Sequence, residues 1–200
     1  MPIQQKGYTI VELAIAVTII GVLIVAGLSG VSSLLVSSKA NTQIEESGRA
    51  LAKLQAILSS TAVSGLTTAS ANGMGLFPPS RVVNNVVTTA MGGGNEFVRS
   101  NSTAMQAQTN GLVLAAGAGA IYTLTNIPKA ACADIAASLA SLSNAAWVYN
   151  ATPTENIAGD STNLGTANLI KTPGASVQGA SVGTQCGLAD FVSMSFLLRP

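Results

Sequence analysis

Few side chains in this sequence could carry out chemistry. Its 200 residues include no histidine, two cysteines and eight carboxylates, so the commonest general base and metal ligand is missing. Only 8% of the residues are charged, against about 25% in an ordinary domain, and the net charge is +1. Lysine and arginine form no cluster that could bind phosphates, so we predict no specific nucleic-acid partner. We likewise expect no catalytic residue, no metal site and no cofactor.

The carboxylate with the most unusual position is Glu12, which lies at the start of a long apolar stretch. Lys6 and Lys39 bracket this stretch, and Glu12 is the only charged residue between them. The 24 residues of Leu13–Val36 would form a helix of roughly 36 Å, enough to cross a hydrocarbon core of about 30 Å. Glu12 then either reaches the headgroup boundary or has a functional partner within the membrane.

The predicted helix continues beyond the apolar stretch. Four apolar residues in Ser37–Leu58 share one helical stripe, with charged residues between them; they are Ile44, Leu51, Leu54 and Leu58. A secretory signal peptide would instead end in a small-x-small cleavage site, for which the sequence has no clean candidate. We therefore predict one helix from about Tyr8 to about Thr61, apolar all round in its first half and amphipathic in its second.

The N-terminal segment Lys6-Gly7-Tyr8-Thr9-Ile10-Val11-Glu12 resembles the signal of type IV prepilins. That family has a short basic leader, glycine at the cleavage point, an apolar or aromatic first mature residue, glutamate at mature position five, and then an apolar helix. This spacing fits at every position. Tyr8 departs from the usual residue, since the family more often has Phe, Met, Leu or Val there.

The resemblance implies how the chain is processed and divided. A prepilin peptidase and N-methyltransferase would cleave between Gly7 and Tyr8 and methylate the new amino terminus. Residues 1–7 would be the leader, residues 8–36 the transmembrane and filament-core helix, and residues 37–200 the globular head. Glu12 would pair with the Tyr8 amine of a neighbouring subunit, which would offset two desolvation costs and set the axial register.

Three glycines in the apolar half of the helix, Gly21, Gly27 and Gly30, admit two interpretations. Each lowers helix stability by roughly 1 kcal/mol relative to alanine. They let helices approach closely in the membrane, or they let this segment unwind in an assembled filament. The sequence favours neither interpretation.

Cys132 and Cys186 are the only thiols of the chain. In a chain with an export signal, an even pair of cysteines implies a disulfide in an oxidising compartment. Redox catalysis is the alternative, and the absence of a Cys-x-x-Cys arrangement disfavours it.

Beyond Thr61 the composition shifts to Ser, Thr, Asn and Gly with short apolar runs, which predicts a globular head. The glycine runs lack the residues that a phosphate loop or dinucleotide fingerprint needs, so we interpret them as turns. The predicted elements are a rigid break at Pro78-Pro79, a short helix over Val82–Met91, a turn over Met91–Asn95, two hairpin strands over Gly111–Ala116 and Ala120–Thr125, a helix over about Lys129–Ser143 and a buried central strand over Asp190–Leu198.

The layout of the head is similar to that of the type IVb pilins, which include toxin-coregulated pilins and the thin-pilus pilins of conjugative plasmids. The matching features are a glycine-rich turn before the first strands, Pro128 ahead of Cys132, a helix that Cys132 begins, and Cys186 before the C-terminal strand. The subfamily implies an α+β fold, with a long N-terminal helical spine packed on an antiparallel sheet. Its disulfide-bounded region, here residues 132–186, would form part of the filament surface.

That region carries little charge. Between Asp134 and Asp190 the only charged residues are Glu155, Asp160 and Lys171. This composition suits a surface that packs against neighbouring subunits or aggregates filaments. It suits equally a surface kept soluble by Ser, Thr and Asn.

The resemblance implies a structural subunit and not an enzyme. The chain would be the major pilin of a type IVb pilus, held in the bacterial inner membrane and then assembled by pilus machinery into an extracellular filament of identical subunits. Adhesion, aggregation, conjugation and DNA uptake are all open as roles.

A minor pilin or a type II secretion pseudopilin is the alternative, disfavoured by the long disulfide-bounded region and the lack of an acidic calcium-binding cluster near the C-terminus. A membrane-anchored enzyme is disfavoured because the serines have no identifiable base.

Overall fold

The computed structural model describes residues 9–60, 63–101, 115, 117–153 and 164–199. It divides into two compact units, one ending at Ser38 and the other running over Lys39–Pro200. Helix α1 spans Ile10–Ser60, 51 residues without a proline, and contributes residues to both units. The prediction of one long N-terminal helix is therefore confirmed.

The second unit is an α+β head built on one antiparallel sheet, as predicted. Its seven strands lie in the order β1-β2-β3-β4-β7-β5-β6. The elements after α1 are α2 (Thr68–Gly73), β1 (Val82–Val83), β2 (Val86–Thr88), β3 (Asn95–Ser100), β4 (Ala120–Pro128), α3 (Lys129–Ser141), β5 (Ala145–Tyr149), β6 (Leu169–Lys171), α4 (Gly179–Cys186) and β7 (Phe191–Leu198).

The C-terminal strand β7 lies in the middle of this sheet, between β4 and β5. All its residues after Phe191 are buried, because neighbouring strands and packed layers cover both of its faces. The predicted central strand is confirmed. So is the helix after Pro128, which ends at Ser141.

The second half of α1 packs on one face of the sheet. Its buried stripe follows the helical repeat and consists of Ala40, Gln43, Ser47, Ala50, Leu51, Leu54 and Leu58. Ile44, which the sequence placed in the stripe, is only half-buried. Gln43, one position earlier and about 100° away around the helix, is buried in its place. The stripe therefore contains two polar residues that the apolar pattern did not predict.

The opposite face of the sheet carries a separate apolar cluster. Its members are Ile121, Ala145, Trp147, Tyr149, Leu164, Leu169 and Leu197. Beside them, the Ser195 hydroxyl lies 2.9 Å from both Thr123 Oγ1 and Tyr149 Oη. Buried hydroxyls on this face therefore have hydrogen-bond partners.

The segment Val82–Met91 is not a helix, so that prediction was wrong. Strands β1 and β2 form a hairpin around Asn84 and Asn85, whose φ angles are 51° and 63°. Asparagine tolerates this left-handed conformation, and a two-residue turn of this kind matches the twist of the flanking strands. Valine pairs on both sides of the turn favour strands over a helix because their branched side chains are restricted in a helix.

The predicted hairpin of Gly111–Ala116 with Ala120–Thr125 falls partly on residues 111–114 and 116, which lie outside the described residues. Its second strand corresponds to β4. That strand pairs with β3 and β7.

The predicted turn over Met91–Asn95 packs against an irregular point of β4. The register of β4 shifts between Leu124 and Ile127, and Asn126 Nδ2 donates to the carbonyl of Gly93 at 3.0 Å. A Cβ on Gly94 would lie 1.9 Å from the carbonyl oxygen of Thr125, closer than any real contact. Gly94 is thus required by the approach of one backbone to another.

Gly94→Ala should destabilise the head by about 1–3 kcal/mol, because the added methyl group forces backbone to move. Denaturant unfolding of the protein in detergent would measure the change. Gly73→Ala is the matched control, since a Cβ at Gly73 meets nothing within 4 Å. Equal stabilities of the two variants would contradict the close approach.

The disulfide-bounded region is held to α3 at two points. Cys132 on α3 and Cys186 at the end of α4 form the predicted disulfide, with their Cα atoms 5.7 Å apart. At the other end of α3, Lys171 Nζ donates to the carbonyls of Ala140 and Ser143 at 2.8 and 2.6 Å. The lysine thus adds a cationic donor at the C-terminal end of α3, where the Ala140 carbonyl also accepts from the Ser143 N–H.

Removing the disulfide should cost the head about 4 kcal/mol in the chain-entropy model, because the bond closes a loop with a separation of 54 residues. We expect reductant to lower the urea midpoint of the wild-type protein. The double variant Cys132→Ala, Cys186→Ala should have the lower midpoint already and should not respond to reductant. A wild-type midpoint that reductant leaves unchanged would contradict this role.

Candidate functional site

Helix α1 begins with a capping box formed by Thr9 and Glu12. The backbone N–H and the hydroxyl of Thr9 donate to Glu12 Oε2 at 3.1 and 3.0 Å, and the Glu12 N–H donates to Thr9 Oγ1 at 3.3 Å. Each side chain thus satisfies a backbone N–H that the first turn of a helix leaves without a partner. Both bonds to the carboxylate use Oε2, and Glu12 is exposed. The second oxygen, Oε1, takes no part in these hydrogen bonds of the cap.

Thr9→Val should loosen the first turn of α1, because the cap contributes about 1 kcal/mol. Amide hydrogen exchange at Ile10–Leu13, measured in detergent micelles, should become faster. Thr9→Ser keeps the hydroxyl and should exchange like the wild-type protein. Equal exchange in the valine and serine variants would show that the cap does not hold this turn.

The N-terminal half of α1 exposes an extensive apolar surface on both sides of Glu12. By length and composition, α1 is the one helix among the described residues that could cross a membrane, and none of its most apolar window is buried within the chain. The exposed large apolar residues of this segment are Ile10, Val11, Leu13, Ile15, Val17, Ile19, Ile20, Val22, Leu23, Ile24, Val25, Val31, Leu34 and Leu35. A surface of this extent needs lipid or protein to cover it.

Gly21, Gly27 and Gly30 lie within α1, which is helical through all three positions. A Cβ added at any of them would meet no atom within 4 Å. Packing within the described chain therefore does not require glycine there. Close approach of a second helix and local unwinding in a filament both stay as predictions.

Gly7 and Tyr8 lie outside the described residues. The cleavage point and the proposed partnership of Tyr8 with Glu12 therefore stay predictions. For metals, the residues in the described ranges include no group of three or more His, Cys, Asp or Glu that could bind an ion.

Sequence reasoning missed a buried polar cluster between α1 and the sheet. Gln43 Nε2 donates to Glu96 Oε1 at 2.8 Å and to Ser47 Oγ at 2.7 Å. The Tyr122 hydroxyl lies 2.5 Å from Glu96 Oε2 and 2.8 Å from Ser47 Oγ. The backbone N–H of Ala90 donates to Gln43 Oε1 at 2.6 Å. The cluster therefore joins α1 to β3, to β4 and to the chain after β2.

The sequence contained one signal for this cluster. Gln43 and Ser47 are four residues apart and lie on the same stripe as Leu51 and Leu54, where a polar pair is unexpected. Glu96 gave no such signal, because its burial depends on the alternation of β3 and on what packs above it. Burial raises the pKa of the Glu96 carboxyl, although its hydrogen bonds to Tyr122 and Gln43 act in the opposite direction.

Two comparisons with known proteins agree with this geometry. Residues 3–28 match the model of the prokaryotic N-terminal methylation motif. The fold is similar to that of TcpA, a type IV pilin from Vibrio cholerae El Tor biotype, with a TM-score of 0.50 and 13% sequence identity, over 80% of this chain and 98% of that chain. At that identity the likeness concerns the fold. No curated protein sequence is significantly similar to this chain.

Proposed function

We propose that this chain, which carries a type IV pilin leader motif on the fold of a type IV pilin, is the major subunit of a type IVb pilus. Type IV pilins are structural proteins and not enzymes. The function of such a subunit therefore lies in the surfaces that other subunits cover. The type IVb assignment rests on the layout of the head, in which one disulfide joins α3 to α4 just before the C-terminal strand.

The observation that carries the proposal is one carboxylate at the start of an apolar, uncovered helix. Before assembly, lipid of the inner membrane covers the apolar surface of α1. After assembly, the apolar helices of neighbouring subunits cover the same surface. Such a helix is therefore suited to move from the membrane to a filament core without exposure to water.

The apolar contact between neighbouring helices is non-directional, and Glu12 sets the axial position of one helix against the next. Cleavage between Gly7 and Tyr8 by a prepilin peptidase creates a cationic amino terminus, which methylation leaves basic. In an apolar filament core, the amine of one subunit pairs with the Glu12 carboxylate of its neighbour. A carboxylate accepts several hydrogen bonds, so Oε2 can keep the cap on Thr9 while Oε1 accepts the amine.

The head supplies the outer surface of the proposed filament. Its disulfide-bounded region is held by a covalent bond at one end of α3 and by Lys171 at the other. A surface held in this way presents the same shape in every copy, which a helical polymer of identical subunits requires. Adhesion, aggregation, and conjugation or DNA transfer are the roles that we propose for it.

Substitution of Glu12 tests the proposal. Glu12→Val should leave the subunit cleaved and in the membrane but abolish filaments, because a buried amine left without its partner typically costs about 3–5 kcal/mol. Sheared filaments would be counted by electron microscopy and the cell-bound subunit by immunoblot. Glu45→Ala is the matched control, because Glu45 is an exposed glutamate of α1 within the head and should assemble normally. Normal filament numbers from Glu12→Val would contradict the pairing.

Mass spectrometry of sheared filaments tests processing and the class of subunit together. The chain should begin at a methylated Tyr8, and Gly7→Ala should slow the cleavage. A major subunit should be the main protein of the preparation. A chain found only as a trace component would instead be a minor pilin or a type II secretion pseudopilin, and an intact Met1 in filaments would contradict the proposal.

A further inference from the structure

The polar cluster between α1 and the sheet contains more carboxylates than cations. Glu96 is 3% exposed and accepts its hydrogen bonds from the neutral groups of Gln43 and Tyr122. The nearest ion pair is that of Arg81 with Glu46 at 3.2 Å, and it uses the one guanidinium that acts on the cluster. With both glutamates ionised, these groups carry a net negative charge, and the buried Glu96 has no cation of its own.

A proton on Glu96 removes that excess charge. Burial of an uncompensated carboxylate is costly, and a buried acid without a cation becomes neutral instead. The charged and titratable groups that act on Glu96 from the surrounding elements are Glu46, Arg81 and Tyr122. Of these, Glu46 opposes the carboxylate and Arg81 favours it, so the two charges of this pair act on Glu96 in opposite directions.

The hydrogen bonds of the cluster fit both protonation states. When Glu96 is protonated, its hydroxyl can donate to Tyr122 and the Tyr122 hydroxyl to Ser47. When Glu96 is ionised, Tyr122 donates to the carboxylate and Ser47 can donate to Tyr122. The distances of 2.5 and 2.8 Å suit either direction. Protonation can therefore change without dismantling the cluster, and only its charge differs between the states.

We propose that Gln43, Ser47, Glu96 and Tyr122 form a pH-sensitive latch that holds α1 to the sheet most firmly when Glu96 carries a proton. The latch joins four segments of the head, because Gln43 also accepts the N–H of Ala90. Loss of the proton places a negative charge among the buried groups of the latch and weakens the contact between α1 and the sheet. The device lies within a single subunit and does not depend on the proposed function.

The direction of the pH effect follows from the raised pKa of Glu96. Its ordinary value is 4.5, and burial raises it in the folded head. The folded state then binds a proton that the unfolded state has already lost, so stability is full below about pH 4.5 and falls as pH rises through the folded pKa. Each unit of difference changes the unfolding equilibrium constant about tenfold. Because the chain has no histidine, few other groups titrate in this range.

Thermal unfolding of the full chain in detergent, at about pH 5 and about pH 8, tests the latch. The wild-type head should be the more stable at the lower pH, so its unfolding constant should rise between about pH 5 and about pH 8. Glu96→Gln keeps the shape without the titrating group and should lose most of this pH dependence. Glu45→Gln, on the exposed side of α1, should keep it. Equal pH dependence in wild type and Glu96→Gln would overturn the proposal.

Two further measurements separate a latch from a general effect on stability and do not require Glu96→Gln to fold. Carbon NMR of the wild-type chain with labelled glutamate carboxyls should show one group titrating above its ordinary pKa, and Tyr122→Phe should shift that resonance. Amide exchange in Ala40–Ala50, referenced to β7, should quicken at the higher pH. Glutamates that all titrate normally, or exchange that changes equally in α1 and β7, would overturn it.

Discussion

The structure depends on an apolar helical surface that is exposed among the described residues. Among the described residues, those of α1 before Ser38 are mostly apolar and exposed, and their unit contains no other described element. Water is a poor solvent for such a surface, so lipid or other helices must cover it. Because the hydrophobic effect is non-directional, it cannot select one register between two such helices. Glu12 is the one charged group on this surface, and a charge has a preferred position where an apolar side chain has none.

In the head, the same helix is covered by the sheet of its own chain. The second half of α1 has a covered face, and its burial holds the helix to the sheet through Leu51, Leu54 and Leu58. The polar cluster of Gln43, Ser47, Glu96 and Tyr122 lies on that covered face, where hydrogen bonds add direction to the contact. Polar groups therefore add direction to the apolar contacts of both halves of α1. At Glu12 the proposed partner is another chain, and in the head the partners belong to the same chain.

Local patterns in the sequence were enough for several elements. The helix over α1 follows from an unbroken apolar stretch, the absence of proline and a repeat of three to four residues. Helix α3 follows from Pro128 and the face that begins at Cys132, and β7 from an apolar segment at the end of the chain. The hairpin of β1 and β2, where a helix was predicted, also has a local signal in Asn84-Asn85. Those same asparagines take the left-handed conformation that the turn needs.

By itself, the sequence determined the processing motif, the long helix and the disulfide, because each depends on residue types at short spacing or on a count of thiols. The α+β class was implied by the resemblance of the head to type IVb pilins. Tertiary structure alone decided the strand order, the position of β7 between β4 and β5, and the need for glycine at Gly94. It also decided that Glu96 is buried beside Gln43 and Tyr122, which are 53 and 26 positions away from it in the chain. Contacts of that kind depend on which surfaces the folded chain brings together. No local preference of the residues involved encodes them.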